Sequence, residues 1–234
     1  MSKLDKVVTI DGHRGTGKSR LANDLREFFD CGVFEVGPLF RFVAWLVQTK
    51  RIEHLEEACT VLDKLIESES LQFLLDRGCG ISASLVAFEG RVINDELWLP
   101  SLDQTLRTVA ADPEIIECVV RTSRRIVDNQ KCIVVGREVG TQFFPDASIK
   151  ILLEAKERSR TQRKLSQLAR KGAPVNASYR LNSSEPPMDW TFVKDGVVLD
   201  STGITPDQML ALVVPILRES LGWVPSNGFK AKHE

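Results

Sequence analysis

Short apolar runs alternate with amphipathic segments along this chain, and the alternation predicts an α/β fold. The apolar runs are rich in β-branched residues, as buried strands are, and the segments between them carry apolar residues at helical spacing. Strands that alternate with helices imply a parallel sheet of about five strands with helices on both faces. We expect strands at 7–10, 32–37, 131–136, 148–153 and 197–199, and helices at 19–29, 38–50, 53–67, 100–111, 112–128, 154–170 and 205–219.

The stretch from Leu71 to Asn94 departs from this alternation. Its short apolar segments are separated by turn-forming residues at 76–78 and 89–90. Such spacing is typical of β-hairpins, so we predict a small antiparallel sheet inserted into the α/β pattern. With 234 residues and 43% hydrophobic content, the chain is expected to form a single domain with a full core.

Charge and cysteine content narrow the functional classes. The net charge of −1 argues against a general nucleic-acid or membrane-surface binder. The polar N-terminus fits no signal peptide, and no apolar run approaches the length of a membrane span. The five cysteines are odd in number and scattered along the chain, so they favour neither a zinc site nor a disulfide framework. They are Cys31, Cys59, Cys79, Cys118 and Cys132. We therefore expect a cytoplasmic protein with no nucleic-acid or membrane partner.

One glycine-rich stretch carries a specific chemical signal. It matches the pattern G-x-x-x-x-G-K-[ST] and consists of Gly12, His13, Arg14, Gly15, Thr16, Gly17, Lys18 and Ser19. Because it lies between a predicted strand and a predicted helix, its backbone amides can form an anion-binding nest at the helix N-terminus. The alternative is a glycine-rich turn that Lys-Ser follows by chance. We predict that this loop binds a nucleoside triphosphate.

Individual side chains at the loop have expected roles. Lys18 would reach the β- and γ-phosphates, and the Ser19 hydroxyl would bind Mg²⁺. Asp11 is a second metal candidate, contacting the shell of that ion through water; the alternative is a carboxylate that only ends the strand. His13 occupies a variable position of the pattern. An exposed histidine without a catalytic role is therefore expected there, in preference to an acid–base catalyst.

Six segments spread over nearly the whole chain together suggest a family. They are Thr9-Ile10-Asp11-Gly12 with the loop, Gly37-Pro38-Leu39-Phe40-Arg41, Val109-Ala110-Ala111-Asp112-Pro113, Gly136-Arg137-Glu138-Val139-Gly140-Thr141, Phe144-Pro145-Asp146-Ala147 and Leu199-Asp200-Ser201-Thr202. In their order and content they resemble the bacterial cytidylate kinases, which are nucleoside monophosphate kinases. This match is more specific than a phosphate loop alone.

The resemblance implies a three-part kinase that transfers the γ-phosphate of ATP, with Mg²⁺ as cofactor. Within one domain at 1–234, residues 38–105 would form an inserted acceptor-binding subdomain, and residues 155–188 a lid that closes over the reacting phosphate. The catalytic cations implied are Lys18, Arg41, which holds the acceptor phosphate, Arg137, and Arg160 and Arg163 of the lid. The alternative for the lid helix is a solvated basic face.

The acceptor side departs from the family pattern. Val36 and Phe40 replace a serine and a tyrosine, so two hydroxyl groups are lost. Val135 replaces an aspartate that helps to read the amino group of cytosine, and Ile116 replaces an arginine. Trp98 falls in a stretch where the family has Ile-Arg-Thr, at the expected acceptor site. The replacements predict a more apolar acceptor pocket.

A length difference follows Asn176. About a dozen residues of the family pattern are missing there, and Arg180 is a candidate replacement for a lost arginine. The expected acceptor-binding set is therefore Val36, Phe40, Arg41, Trp98, Val135, Arg137 and Arg180.

These observations favour one functional hypothesis over two others. A pocket without polar groups cannot select a base by hydrogen bonds, so we expect an ATP-dependent phosphotransferase whose acceptor is nucleoside monophosphate-like but is not CMP. A monomer or weak dimer is expected. One alternative is a kinase for a non-nucleotide metabolite. The other is a nucleotide-binding sensor or partner protein that has lost catalysis, against which the retained Lys18 and Arg41 argue.

Overall fold

Eight strands and eight α-helices form the part of the chain that the computed structural model describes, residues 6–75, 84–128, 130–170 and 196–226. The strands are β1 (Val7–Gly12), β2 (Gly32–Glu35), β3 (Leu71–Leu75), β4 (Ser84–Phe88), β5 (Arg91–Val92), β6 (Cys132–Val135), β7 (Ile149–Glu154) and β8 (Val197–Asp200). The helices are α1 (Lys18–Phe29), α2 (Gly37–Gln48), α3 (Ala58–Glu67), α4 (Asn94–Leu97), α5 (Asp103–Ala111), α6 (Pro113–Val127), α7 (Glu157–Arg170) and α8 (Pro206–Leu221). Within these ranges, every helix is too short or too polar to span a membrane.

A five-stranded sheet lies at the centre of the fold. Its strand order is β2-β6-β1-β7-β8, and every neighbouring pair is parallel. Val8 of β1 lies opposite Ile133 on one side and Ile149 on the other. All residues of β1 are buried, as expected for a parallel strand covered on both faces. The predicted five-stranded parallel sheet is confirmed.

Alternate residues of the sheet pack into two apolar clusters, one on each face. Val8 and Ile10 belong to the cluster that includes α1 and α8, and Val7 belongs to the cluster that includes α2, α3 and α6. Successive side chains of a strand point to opposite faces, so Thr9 and Asp11 lie on the same face as Val7. The predicted helices on both faces are confirmed, and one face ends in a buried carboxylate.

The predicted insertion is a three-stranded antiparallel sheet with the order β3-β4-β5. Its apolar side chains do not form a core of their own, because Leu71 and Phe88 join the same cluster as Phe34 of β2. The rings of Phe42 in α2 and Phe88 in β4 lie 5.4 Å apart. The small sheet is therefore packed directly against the helix that follows β2.

Some element boundaries differ from the predictions. The helix expected from residue 53 begins with a 3₁₀ turn, Leu55–Glu57, before α3. The basic helix expected from residue 154 begins at Glu157, because Glu154 is still part of β7. Two short elements had no clear signal: α4, and a π-helical turn at Val139–Phe143. That turn lies beside the phosphate loop.

Candidate active site

The phosphate loop is a tight turn between β1 and α1, with no room for side chains at two of its glycines. Gly12 has a φ of +146° and Gly15 a φ of +81°, both in the region that favours glycine. A Cβ on Gly12 would overlap the carbonyl oxygen of Leu153 in β7, and one on Gly15 would lie 2.8 Å from the carbonyl oxygen of Arg160 in α7. The loop backbone is therefore held closely between the sheet and α7.

The start of α1 is arranged to receive an anion. Gly17 precedes the helix in a left-handed conformation, and it has no side chain that could occupy the first amides. The positive end of the helix dipole and these amides favour a bound phosphate. Lys18 Nζ donates hydrogen bonds to the carbonyl oxygens of Gly12, at 2.6 Å, and His13, at 2.9 Å. Its ammonium group thus lies over the loop, and the arrangement fits the phosphates of a nucleotide.

Ser19, in the first turn of α1, contacts a carboxylate from another strand. Its Oγ donates a 2.5 Å hydrogen bond to Oε1 of Glu35. Glu35 is the last residue of β2 and is 8% exposed. No role for Glu35 was predicted, although its position at the carboxyl end of a parallel strand, where ligands bind in open α/β sheets, is a usable signal.

The oxygen atoms at this point of the loop suit Mg²⁺. This cation takes oxygen ligands, and it is bound by one or two carboxylates together with substrate phosphates and water. The Ser19 hydroxyl and the Glu35 carboxylate are oxygen donors of this kind, located at the loop. Mg²⁺ held jointly with nucleotide phosphates therefore fits the residues present.

Asp11 fixes the π-helical turn. Its Oδ1 accepts a hydrogen bond from the amide of Val139, at 2.6 Å, and its Oδ2 accepts one from the amide of Gly140, at 2.9 Å. The side chain is 3% exposed, and this burial is the main cause that raises its pKa to about 6, against the two hydrogen bonds and the charge of Lys18. Both carboxylate oxygens are engaged, and a role of Asp11 in the metal shell stays a prediction.

The raised pKa of Asp11 predicts a pH-dependent stability. Because the native pKa of about 6 exceeds the ordinary value of 3.8, the native protein holds this proton more tightly than the unfolded chain does. The contribution of Asp11 to the free energy of unfolding is therefore greatest below about pH 4 and decreases, by up to about 3 kcal/mol, as the pH rises through about 6.

Urea unfolding of the protein and of Asp11→Asn between these pH values measures the contribution. We expect the stability of the parent protein, relative to the variant, to fall with rising pH. A difference between the two proteins that stays constant over that range would show that the carboxyl group titrates normally.

The first part of α7 is bound to the phosphate loop and to the turn after β8. Arg163 donates to the carbonyl oxygens of Gly15 and Thr16, at 3.3 and 3.2 Å, and to Oγ and the carbonyl oxygen of Ser201, at 2.9 and 2.5 Å. Arg160 donates to the carbonyl oxygen of Arg14 at 3.3 Å. Both predicted lid arginines therefore donate to backbone carbonyl oxygens of the loop.

Arg41, in α2, is the predicted cation of the acceptor side. Its guanidinium donates to the carbonyl oxygen of Leu97 at 3.0 Å and pairs with Oδ1 of Asp103 at 3.4 Å. The same group lies 5.1 Å from the ring centre of Trp98, whose side chain is 41% exposed. Burial is the main cause that lowers the pKa of Arg41, although its charge is kept at neutral pH. A largely buried cation thus lies beside an exposed aromatic ring, and a role of both in binding an acceptor stays a prediction.

The predicted apolar acceptor residues do not all lie on one face of the sheet. Val36 is buried in the cluster that includes α2, whereas Val135 is buried in the cluster on the opposite face that includes α1 and α8, so the prediction that both line one pocket is wrong for the side chain of Val135. Phe40 is partly buried, and its ring packs edge-to-face against that of Phe143 at 6.2 Å. Val36 also lies next to Gly136, where a Cβ would be 3.6 Å from the Cβ of the valine. These side chains offer no hydrogen-bonding group to a ligand.

The predicted acceptor-binding set contains two further arginines, Arg137 and Arg180. Arg137 is separated from the end of β6 by Gly136, is partly exposed, and precedes the π-helical turn. Arg180 lies outside the described residues, as does the greater part of the predicted lid at 155–188. The roles proposed for both arginines stay predictions.

A parallel sheet whose central strand leads through a glycine-rich loop into a helix defines a phosphate-loop nucleotide-binding protein. A family model, Cytidylate kinase, matches residues 8–184 of the chain. The chain is 30% identical to a cytidylate kinase of Pectobacterium atrosepticum over 230 residues, which cover 94% of this chain and 100% of that protein. It is also 30% identical to a cytidylate kinase of Aeromonas salmonicida over 233 residues, covering 95% and 98%.

The chain therefore belongs to the cytidylate kinase family. Membership makes it a phosphotransferase of the nucleoside monophosphate kinase type, and the family implies ATP and nucleotide substrates. The predicted family and enzyme class are confirmed.

Proposed function

We propose that this enzyme transfers the γ-phosphate of Mg²⁺-bound ATP to a nucleoside monophosphate-like acceptor other than CMP. The observation that carries the proposal is the contrast on the acceptor side. A cation suited to phosphate, Arg41, is retained, whereas the side chains where a base would be read are apolar.

The donor side supports ATP binding through the loop geometry. Lys18 lies over the loop carbonyls, and Ser19 faces the carboxylate of Glu35. Phosphoryl transfer requires mainly positioning and cations that neutralise charge on the transferred group. Lys18, Arg160 and Arg163 are cations at or beside the loop that could supply this charge.

Arg41 is suited to an acceptor phosphate. Its pair with Asp103 is long, at 3.4 Å, and the Asp103 carboxylate is exposed to water. Such a pair contributes little, so a phosphate that binds the planar guanidinium with two oxygens can replace it. Trp98 beside this group offers an aromatic surface that a nucleobase could contact.

The apolar residues disfavour CMP. The cytosine edge carries hydrogen-bonding groups, and placing them against Val36 and Phe40 would leave those groups without partners. Sites built to hydrogen-bond a substrate reject others strongly, but a site without such groups loses that selectivity. An acceptor read by aromatic and apolar contacts is therefore favoured, for example a modified pyrimidine nucleotide.

The test is coupled ADP release with Mg-ATP and a panel of acceptors. The panel contains CMP, dCMP, UMP, dTMP, AMP, GMP, modified pyrimidine monophosphates and small non-nucleotide metabolites. We expect a nucleotide other than CMP or dCMP to give a kcat/KM at least about 10-fold higher than either, since one lost hydrogen bond at a buried site suffices for that ratio. CMP or dCMP as the best acceptor would refute the proposed specificity. Turnover with a non-nucleotide metabolite alone would favour the metabolite kinase.

A pair of variants in the same assay checks the role of Arg41. Arg41→Ala should raise the KM for the preferred acceptor about 10-fold or more, because a charged hydrogen bond is lost, and leave the KM for ATP nearly unchanged. Arg107→Ala, on the exposed side of α5, removes the same charge as the matched control. Equal effects of the two substitutions would remove Arg41 from the acceptor site.

A further inference from the structure

Glu35 is a buried carboxylate for which the family resemblance supplied no role in this chain. It ends β2, and its Oε1 accepts the proton of the Ser19 hydroxyl at 2.5 Å. The two residues are 16 positions apart and come from different elements, so the contact is a product of the fold. It joins the loop that binds phosphate to the strand end from which α2 and Arg41 follow.

The direction of this hydrogen bond matters for metal binding. A serine hydroxyl has one proton and two lone pairs, and only a lone pair can bind a cation. A hydroxyl without an acceptor can rotate its proton toward the metal position, where the partly positive hydrogen would repel the cation. When a carboxylate accepts that proton, the hydroxyl orientation is fixed and the lone pairs point away from the carboxylate. Groups that orient metal ligands in this way commonly alter metal affinity by about 10- to 100-fold.

We propose that Glu35 is a positioning residue for Mg²⁺, which holds the Ser19 proton so that the Ser19 oxygen is available to the cation. This inference rests on the proposed binding of Mg²⁺-ATP, but it does not depend on which acceptor the enzyme uses. Glu35 itself need not bind the metal.

The experiment measures metal binding directly, without turnover. Mn²⁺ replaces Mg²⁺ and is followed by electron paramagnetic resonance in the presence of a non-hydrolysable ATP analogue. Binding of the same analogue without metal is measured in parallel by calorimetry. We expect Glu35→Ala to weaken Mn²⁺ binding about 10-fold or more and to change metal-free binding of the analogue by much less. Glu35→Gln, whose side-chain oxygen can still accept the Ser19 proton, should restore most of the affinity.

A double-mutant cycle with Ser19→Ala separates positioning from a general effect. If Glu35 acts through Ser19, Glu35→Ala should weaken Mn²⁺ binding little further once the hydroxyl is gone. Additive losses, or an unchanged Mn²⁺ affinity in Glu35→Ala, would overturn the proposal. Equal weakening of metal-free nucleotide binding would assign Glu35 a structural role instead.

If neither the parent protein nor any variant bound the analogue at all, the proposed ATP site itself would fail. This outcome distinguishes a failure of the proposed ATP binding from a failure of the positioning role of Glu35.

Thermal unfolding of each variant provides the folding control. Ser19→Ala removes the hydroxyl that donates to the buried carboxylate, and Glu35→Ala removes the acceptor of that hydroxyl, so both variants are expected to be less stable than the parent. Glu35→Gln keeps the shape and removes the charge. It therefore keeps the proposal testable even if the alanine variant does not fold.

Discussion

Replacing Lys18 with alanine is expected to lower kcat by about 10²–10³-fold or more, because a cation aimed at the transferred phosphate is removed. The Lys18 ammonium already lies over the loop, bonded to the carbonyl oxygens of Gly12 and His13. In the reaction it can exchange these for phosphate oxygens that gain charge. The loss should appear mainly in kcat and kcat/KM, since the interaction strengthens as the phosphate is transferred.

The measurement is ADP release at saturating ATP, with the acceptor that the panel identifies as best. Lys64→Ala is the matched control, because Lys64 is an exposed lysine in the last turn of α3. It should leave kcat within about 2-fold of the parent value, as surface substitutions commonly do. Unfolding midpoints check that both variants are folded. A Lys18→Ala enzyme with kcat close to that of the parent would show that the phosphates bind elsewhere.

Replacing Gly12 with alanine is expected to destabilise the fold by about 3 kcal/mol or more. The added Cβ would overlap the carbonyl oxygen of Leu153, which belongs to the neighbouring strand β7 and not to a flexible side chain. The φ of +146° at this position adds backbone strain for any residue with a Cβ. Because β1 and β7 are paired here, neither can shift alone.

Thermal unfolding measures this effect, and a decrease in the midpoint of roughly 6–12 °C is expected for a domain of this size. Gly37→Ala is the control, since Gly37 is exposed and a Cβ there would have no neighbour within 4 Å. Its midpoint should change by about 1–2 °C at most. Similar midpoints for the two variants would show that the β1–β7 contact relaxes easily.

The fold was predictable because its signals are local. The strand before the phosphate loop, the loop pattern and the helix after it lie within residues 7–29, and each is specified by neighbours in the sequence. Asp112 illustrates the same point, since it caps α6 by accepting hydrogen bonds from the amides of Glu114 and Ile115, as a residue before Pro113 at a helix start is expected to do.

The contacts within the site were not predictable in this way. Asp11 binds the amides of Val139 and Gly140, which are 128 and 129 positions away, and Arg163 binds Gly15 across 148 positions. A π-helical turn has no hydrophobic period of its own to indicate it. Which polar groups meet depends on the order of strands in the sheet, and that order is a property of the whole chain.

The buried carboxylate of Asp11 lowers the stability of the fold at neutral pH, and the same carboxylate fixes the turn beside the phosphate loop. At neutral pH it carries a charge away from water, at a free-energy penalty of up to about 3 kcal/mol relative to the unfolded chain. Both of its oxygens accept hydrogen bonds from backbone amides of the turn that lies beside the phosphate loop. The turn beside the phosphate loop is therefore held by a group whose own ionisation lowers the stability of the fold as the pH rises through about 6.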